Sequence, residues 1–229
     1  PADFFNTGTT FTNSFNLSVG NDKNQTYVSG SAVNAKGIVP NNKYHRYNAM
    51  VRNTTKFFND KLTMDLSASY VREYYNNMLS YGTYFNPLLG AYLYPRGENF
   101  EKEKYFERYD AELGYNVQSW TPGDFGMAVQ NPYWVAYRMP RTNRKNRYMV
   151  NASAKYQVFD WLDVTARMRW DDAQTKQEDK RYASTIDLFA HSKYGFYSYD
   201  KVNDRSLYGD VMANINKRWT DWTLSANLG

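Results

Sequence analysis

KLTMDLSASY, residues 61–70, alternates without an error. Leu62, Met64, Leu66, Ala68 and Tyr70 share one side, and Lys61, Thr63, Asp65, Ser67 and Ser69 share the other. A period of two is the signature of a β-strand with one apolar and one polar face. Ten residues is long for a strand of a soluble domain, where about five or six is usual. The stretch therefore asks which solvent its apolar face meets, a protein core or lipid.

The pattern repeats along the chain. In 10–20 it places Phe11, Phe15, Leu17 and Val19 together, and in 46–57 Tyr47, Ala49, Val51 and Phe57 oppose Arg46, Asn48, Arg52 and Lys56. In 147–158 Tyr148, Val150, Ala152, Ala154, Tyr156 and Val158 oppose Arg147, Asn151, Ser153, Lys155 and Gln157. In 162–171 Leu162, Val164, Ala166, Met168 and Trp170 oppose Asp163, Thr165, Arg167, Arg169 and Asp171. Segments 207–217 and 221–229 continue it, whereas 25–34 has no clearly apolar face and is read as a strand from its neighbours.

The connections alternate in length. Those at 21–24, 58–60, 159–161 and 218–220 are short, whereas 35–45 is longer and about 71–146 and 172–206 are very long. In an up-and-down meander alternate connections lie at opposite ends, so short turns gather at one end and long loops at the other. That asymmetry is the pattern of outer-membrane barrels, and a soluble sandwich, the competing reading, has no reason to keep it. The short turns also carry rings beside an Asp: Phe57 and Phe58 with Asp60, Phe159 and Trp161 with Asp160, Trp219 and Trp222 with Asp221. Amphipathic rings favour the membrane–water boundary, so these form one expected belt, and Tyr47, Tyr70, Tyr148 and Trp170 form the opposite one. From Leu162 to Trp170, eight steps of ~3.3 Å tilted by ~40° rise about 20 Å, near the ~25 Å apolar band of such barrels.

The expected fold class is all-β, an antiparallel up-and-down transmembrane β-barrel. Composition agrees. Mean hydropathy is −0.78, and no apolar run approaches the ~18 residues of a membrane helix, a limit that does not bind strands. Among 229 residues there are 22 Tyr and 6 Trp but no Cys, so disulfides and thiolate metal sites are excluded. A net charge of +5 is too diffuse to point to nucleic acid. The chain starts without Met and stops inside an alternating run, and is read as a fragment of a longer protein.

The run FFNTGTTFTNSFNLSVGNDKNQTYVSGSAVNAKGIVPNNKYHRYN (4–48) resembles the opening barrel strands of SusC/RagA-type TonB-dependent transporters. The likeness rests, in order, on Ser14 to Gly20, the turn Asn21 to Lys23, then Gly37, Ile38, Pro40, Asn41 and Arg46. NPLLGAYLYPRGENFEKEKYFERYD (86–110) and NPYW (131–134) look like the long extracellular loop of that family. One departure is Val19 before Gly20, where the family's turn usually carries two glycines. The resemblance implies that residues 1–229 are part of a larger, roughly 22-stranded barrel domain, with plug domain and TonB-coupling segment outside this chain. It implies outer-membrane uptake of oligosaccharides or peptides in a Gram-negative bacterium, driven through TonB, with a SusD-like surface lipoprotein as partner. A non-transporting barrel or adhesin is the alternative.

Catalysis and cofactors have no support. His45 and His191 lie far apart and in no metal-ligand spacing. The carboxylates of 98–112 alternate with lysines as on a solvated face, and 171–181 lacks the spacing and glycine of a calcium loop and reads as a polar loop. Asn-X-Ser/Thr matches are expected in an Asn-rich barrel and carry nothing. The substrate-contact candidates are Tyr92, Tyr94, Trp120, Tyr133 and Trp134, because flat rings with a polar edge suit sugars or peptides; the bland reading is that they pack the loop on itself. Arg141, Arg144, Lys145 and Arg147 stand at the lip of a strand and are candidates for lipopolysaccharide phosphates among the outer-membrane lipids; the bland reading, which the sequence favours, is a solvated basic loop.

Overall fold

The computed structural model describes residues 2–78, 85–123, 125 and 127–229. Among the described residues eight strands pair each with its neighbours in one antiparallel sheet. They are β1 (Thr9–Gly20), β2 (Asn24–Lys36), β3 (Lys43–Phe57), β4 (Leu62–Asn76), β7 (Arg141–Phe159), β8 (Leu162–Arg181), β9 (Phe196–Arg218) and β10 (Thr223–Leu228). A separate hairpin, β5 (Glu107–Asp110) with β6 (Tyr115–Gln118), lies between β4 and β7. Short helices α1 (Pro87–Leu93), α2 (Pro132–Arg138) and α3 (Asp187–Ala190) also lie in the connections. All eight segments read as strands are strands, including 25–34, which is held by ladders to β1 and β3.

Register aligns the apolar sides into one continuous face. Leu17 opposes Val28, Val28 opposes Val51, and Val51 opposes Ala68. Ala68 opposes Val150, Val150 opposes Trp170, and Trp170 opposes Leu207. Because a slip of one residue would turn every side chain over, such continuity across seven strands means that one solvent sets the whole face. No protein layer covers it: Phe15 keeps 62% and Leu207 71% of its surface. A soluble sandwich would have buried this face against a second sheet. The opposite face is laced with ion pairs: Arg52 to Asp65 (2.7 Å), Lys155 to Asp163 (3.2 Å) and Arg167 to Asp210 (3.0 Å). The sheet is part of a transmembrane barrel wall, with lipid on the apolar side and water on the charged side.

Glycine has a defined place in that wall. A Cβ on Gly30 would lie 2.4 Å from the ring of Phe15, its cross-strand partner, so the bare backbone is what seats the ring. Rings also mark both band edges. Trp219 stacks on Trp222 at 4.4 Å and Phe159 on Trp161 at 5.4 Å at the short-turn end. Tyr70 meets Tyr148 at 4.9 Å at the other.

All three longer connections are shorter than the sequence reading, 35–45 becoming 37–42 between β2 and β3. The segment 172–206 is mostly strand, since β8 runs to Arg181 and β9 starts at Phe196, leaving 182–195 as the connection. Residues 171–181, read as a polar loop, are therefore the upper half of β8. Likewise the 71–146 connection shrinks to 77–140 because β4 and β7 extend past the band. The physical reason is that above the lipid no face has to be apolar, while the backbone ladder continues unchanged.

The buried core lies outside the barrel sheet. One cluster joins Phe4, Val39, Ala91, Tyr94, Phe100 and Tyr133, and a second joins Trp134, Val135, Met139 and Phe189. The long connections thus fold as a small module with its own hydrophobic interior at the end opposite the short turns.

Candidate functional site

The module is built from local signals that its sequence carries. In both NP motifs the Asn caps a helix and the Pro occupies the first turn. The Asn86 side chain accepts from Leu88 N–H at 3.0 Å, and that of Asn131 accepts from Tyr133 N–H at 2.8 Å. Asn131 is fully buried and does more than cap. Its Nδ2 donates to the carbonyls of Ser119 (2.8 Å) and Glu103 (3.0 Å), and its N–H donates to Gln118 Oε1 (2.8 Å). Asn131 thus ties α2 to β6 through its backbone N–H, and to Ser119 and the 3₁₀ turn Phe100–Lys104 through its side chain.

Glu103 belongs to this interior, contrary to the solvated face read for 98–112. It is only 2% exposed, and Tyr94 Oη donates to it at 3.4 Å and Thr121 N–H at 3.5 Å. Lys102 and Lys104 do follow the surface reading, paired with Glu98 (3.0 Å) and Glu101 (2.8 Å). Burial, and next the Glu103 charge, push the Tyr94 hydroxyl pKa up. Burial pushes that of Tyr133 up to about 12, so both phenols stay neutral donors. The second anchor is Arg138, which donates to both oxygens of Glu107 (2.6 and 2.7 Å) between the rings of Phe106 and Tyr182. That hydrogen-bonded guanidinium holds the Glu107 carboxyl below its usual range.

The module is bolted to the barrel rim by amides. Asn41 and Asn77 Nδ2 both donate to the Ala136 carbonyl (2.8 and 2.6 Å), and Asn76 Nδ2 donates to that of Asn41 (2.8 Å). Trp134 Nε1 donates to Thr185 Oγ1 (3.1 Å), joining the 182–195 connection to the module, and Tyr133 Oη donates to the Asp3 carbonyl (3.2 Å).

The five aromatic candidates divide accordingly. Trp134 is 0% exposed, and Tyr94 and Tyr133 are also buried, so these three pack the module on itself. Trp120 is half-buried against Tyr94 and Phe125, with its Nε1 lacking a protein acceptor among the described residues. Tyr92 is open, 64% exposed, beside Phe5 at 6.3 Å. Two further open rings, Tyr105 and Tyr109, were hidden in the charged run; Tyr109 lies on β5, whose Asp110 caps the hairpin turn by accepting from Glu112 and Leu113 N–H.

The four basic candidates divide as well. Arg147 donates to both oxygens of Asp171 (2.8 and 2.5 Å), Arg141 lies 3.7 Å from Asp179, and Lys145 shares their inward register. Arg144 stands on the outward register, over the Tyr74 ring at 5.7 Å.

No protein-family model and no curated protein matches this sequence. Solved structures do match. A chain of the RagAB peptide importer in its closed-closed state superposes over 97% of this chain and 24% of that one, with TM-score 0.64 and 15% identity. A chain of the RagAB peptide transporter gives TM-score 0.65 over 93% and 23% at 14% identity. The open-open state gives 0.62 over 95% and 23%, also at 14%. The fold is that of part of a RagAB chain. The match spans about a quarter of those chains, and the fold implied by the SusC/RagA resemblance is the fold observed.

Proposed function

We propose that this chain forms part of the wall and the extracellular mouth of an outer-membrane nutrient importer of the SusC type. The observation that carries the reading is the division of solvents. The eight-stranded sheet has an uncovered apolar band on one face and ion pairs on the other, while the buried core sits in a module at one end alone. A folded cap on a barrel mouth suits gating and capture more than anchoring, and loops this long are usually functional. The solved relatives carry the name peptide importer, and peptides or oligosaccharides are the substrate class proposed here. Drive through TonB and a SusD-like lipoprotein over the module complete the proposal. Tyr92, Tyr105 and Tyr109, all exposed, are the rings proposed to meet substrate or lipoprotein, together with the half-buried Trp120.

The test is removal of residues 86–139 from the full-length protein. The rim closes without them, because Asn77 N–H donates to the Arg141 carbonyl at 2.8 Å. The barrel is expected to fold, shown by heat-modifiable migration, while uptake and lipoprotein co-purification are lost. A folded barrel with normal uptake and normal co-purification refutes the proposal.

A further inference from the structure

Above the aromatic belt the outward face of the sheet changes chemistry. Arg144 on β7 directly opposes Lys176 on β8, which directly opposes Lys201 on β9. Like charges placed opposite one another across strands destabilise a sheet. On the β4 side of the row stands Tyr74, its ring between His45 (5.9 Å) and Arg144 (5.7 Å). One step nearer the band, Arg72 opposes Tyr47 on β3 and Asn146 on β7.

Among the described residues nothing neutralises this row. The outward carboxylates above the belt, Asp172 and Glu178, are engaged by Arg205 (2.7 Å) and Lys180 (3.2 Å). Among the described residues Arg72, Arg144, Lys176 and Lys201 have no ion pair. On the inward face Arg147, Arg169 and Arg167 are each matched to an aspartate. The four cations of the row all stand on the side that carries the lipid band.

Their height is informative. Arg72 is two residues above Tyr70, and Arg144 four above Tyr148, which at ~3.3 Å per residue and ~40° tilt is about 5 and 10 Å above the ring level. Arg72 thus stands within the polar zone of a leaflet, which is roughly 5–8 Å deep, and Arg144 just beyond it. Toward the short turns the same outward face, from β1 to β8, carries a shallow apolar trough of about 830 Å³, floored by Gly30, Ala49 and Ala68 and walled by Phe15, Tyr70 and Tyr148.

We infer that this surface binds a phosphorylated outer-leaflet lipid. Arg72, Arg144, Lys176 and Lys201 hold the headgroup phosphates, and an acyl chain lies in the trough between Phe15 and Tyr148. The inference rests on the outward face being the lipid face. It differs from the sequence expectation in its residues: Arg144 remains, whereas Arg141, Lys145 and Arg147 share the inward register.

The experiment uses the full-length protein, delipidated in detergent. Its thermal midpoint is measured with diphosphorylated lipid A, with the same lipid after dephosphorylation, and with inorganic phosphate. Diphosphorylated lipid is expected to raise the midpoint, and the other two to leave it unchanged. The triple variant R144S/K176S/K201S should bind that lipid roughly 100-fold more weakly, from about a factor of five per lost cation. It should also match or exceed wild type in midpoint when lipid is absent, because the opposed charges are gone. K176S alone should lose about five-fold. K23S/K56S/K61S, with the same charge change at the short-turn end, should behave as wild type. An equal shift from dephosphorylated lipid or from inorganic phosphate overturns the inference, as does an unchanged shift in the triple variant. Uptake by the triple variant is measured in parallel. Retained uptake with lost lipid selectivity supports the inference and leaves the transport proposal standing, and lost uptake with retained selectivity would count against the inference alone.

Discussion

Arginine at Ala152 and at Ser153 should give opposite results, although the two are adjacent on β7. Ala152 lies between Leu66 and Met168 on the apolar face. Four residues separate it from Tyr148 and four from Tyr156, about 10 Å along the membrane normal in each direction, so it sits near mid-band. The outward carboxylate nearest in register, Asp172, is opposite Tyr148 and already binds Arg205. An arginine at 152 therefore has no counter-ion at its own level, and its cost should lie in the upper part of the ~2–4 kcal/mol range for barrel midplanes. Ser153 lies between Asp65 and Arg167 on the watery face. There the attraction to Asp65 and the repulsion from Arg167 act through water, so Ser153→Arg should change stability by less than about 1 kcal/mol. The assay is equilibrium folding of the full-length barrel into short-chain lipid vesicles over a denaturant series. Equal penalties at 152 and 153 would refute the assignment of faces.

Other consequences are local. Asn131→Ala removes the α2 cap and two buried amide bonds, and should loosen the module by about 2–4 kcal/mol, from ~1 for the cap and ~0.5–1.5 for each bond; hydrogen exchange should rise in 100–138 and not in the strands. The Glu107–Arg138 pair has a sign in pH. Because the folded carboxyl titrates below its unfolded value, its stabilisation is fully present above about pH 4.3 and is lost as pH falls through the folded value. Proteolysis of the module should therefore accelerate in acid below that pH, and Arg138→Met should abolish the difference. Gly30→Ala forces the Phe15 ring from its seat and should cost about 1–3 kcal/mol in barrel midpoint; an unchanged midpoint would mean that the ring is not held there.

Legibility in the sequence followed the solvent. Inside the band, lipid demands an apolar residue at every second position, and residues 61–70 and 147–158 declare strand, face and register together. Above the band that demand ends, so 171–181 looked like a loop although its backbone ladder to β7 and β9 is unbroken. The module carries local signals in its caps, Asn86 and Asn131 before proline, which a reading of 86–110 and 131–134 as loop does not use. Its interior was not, because burial of Glu103 depends on donors brought from Tyr94 and Thr121. For the same reason residue type alone could not separate a ring that meets ligand from one that fills a core, and Tyr94, Tyr133 and Trp134 fell to the core.

The most direct test of the account is the sidedness of the chain in intact cells. Single cysteines at Asn99 in the module and at Tyr194 in the 182–195 connection, both exposed, are compared with cysteines at Asn59 and Thr220 in the short turns. A membrane-impermeant maleimide should label the first two on whole cells and reach the second two only after lysis. Labelling of Asn59 and Thr220 on intact cells, with Asn99 and Tyr194 protected, would invert the barrel and contradict a module that caps its outer mouth.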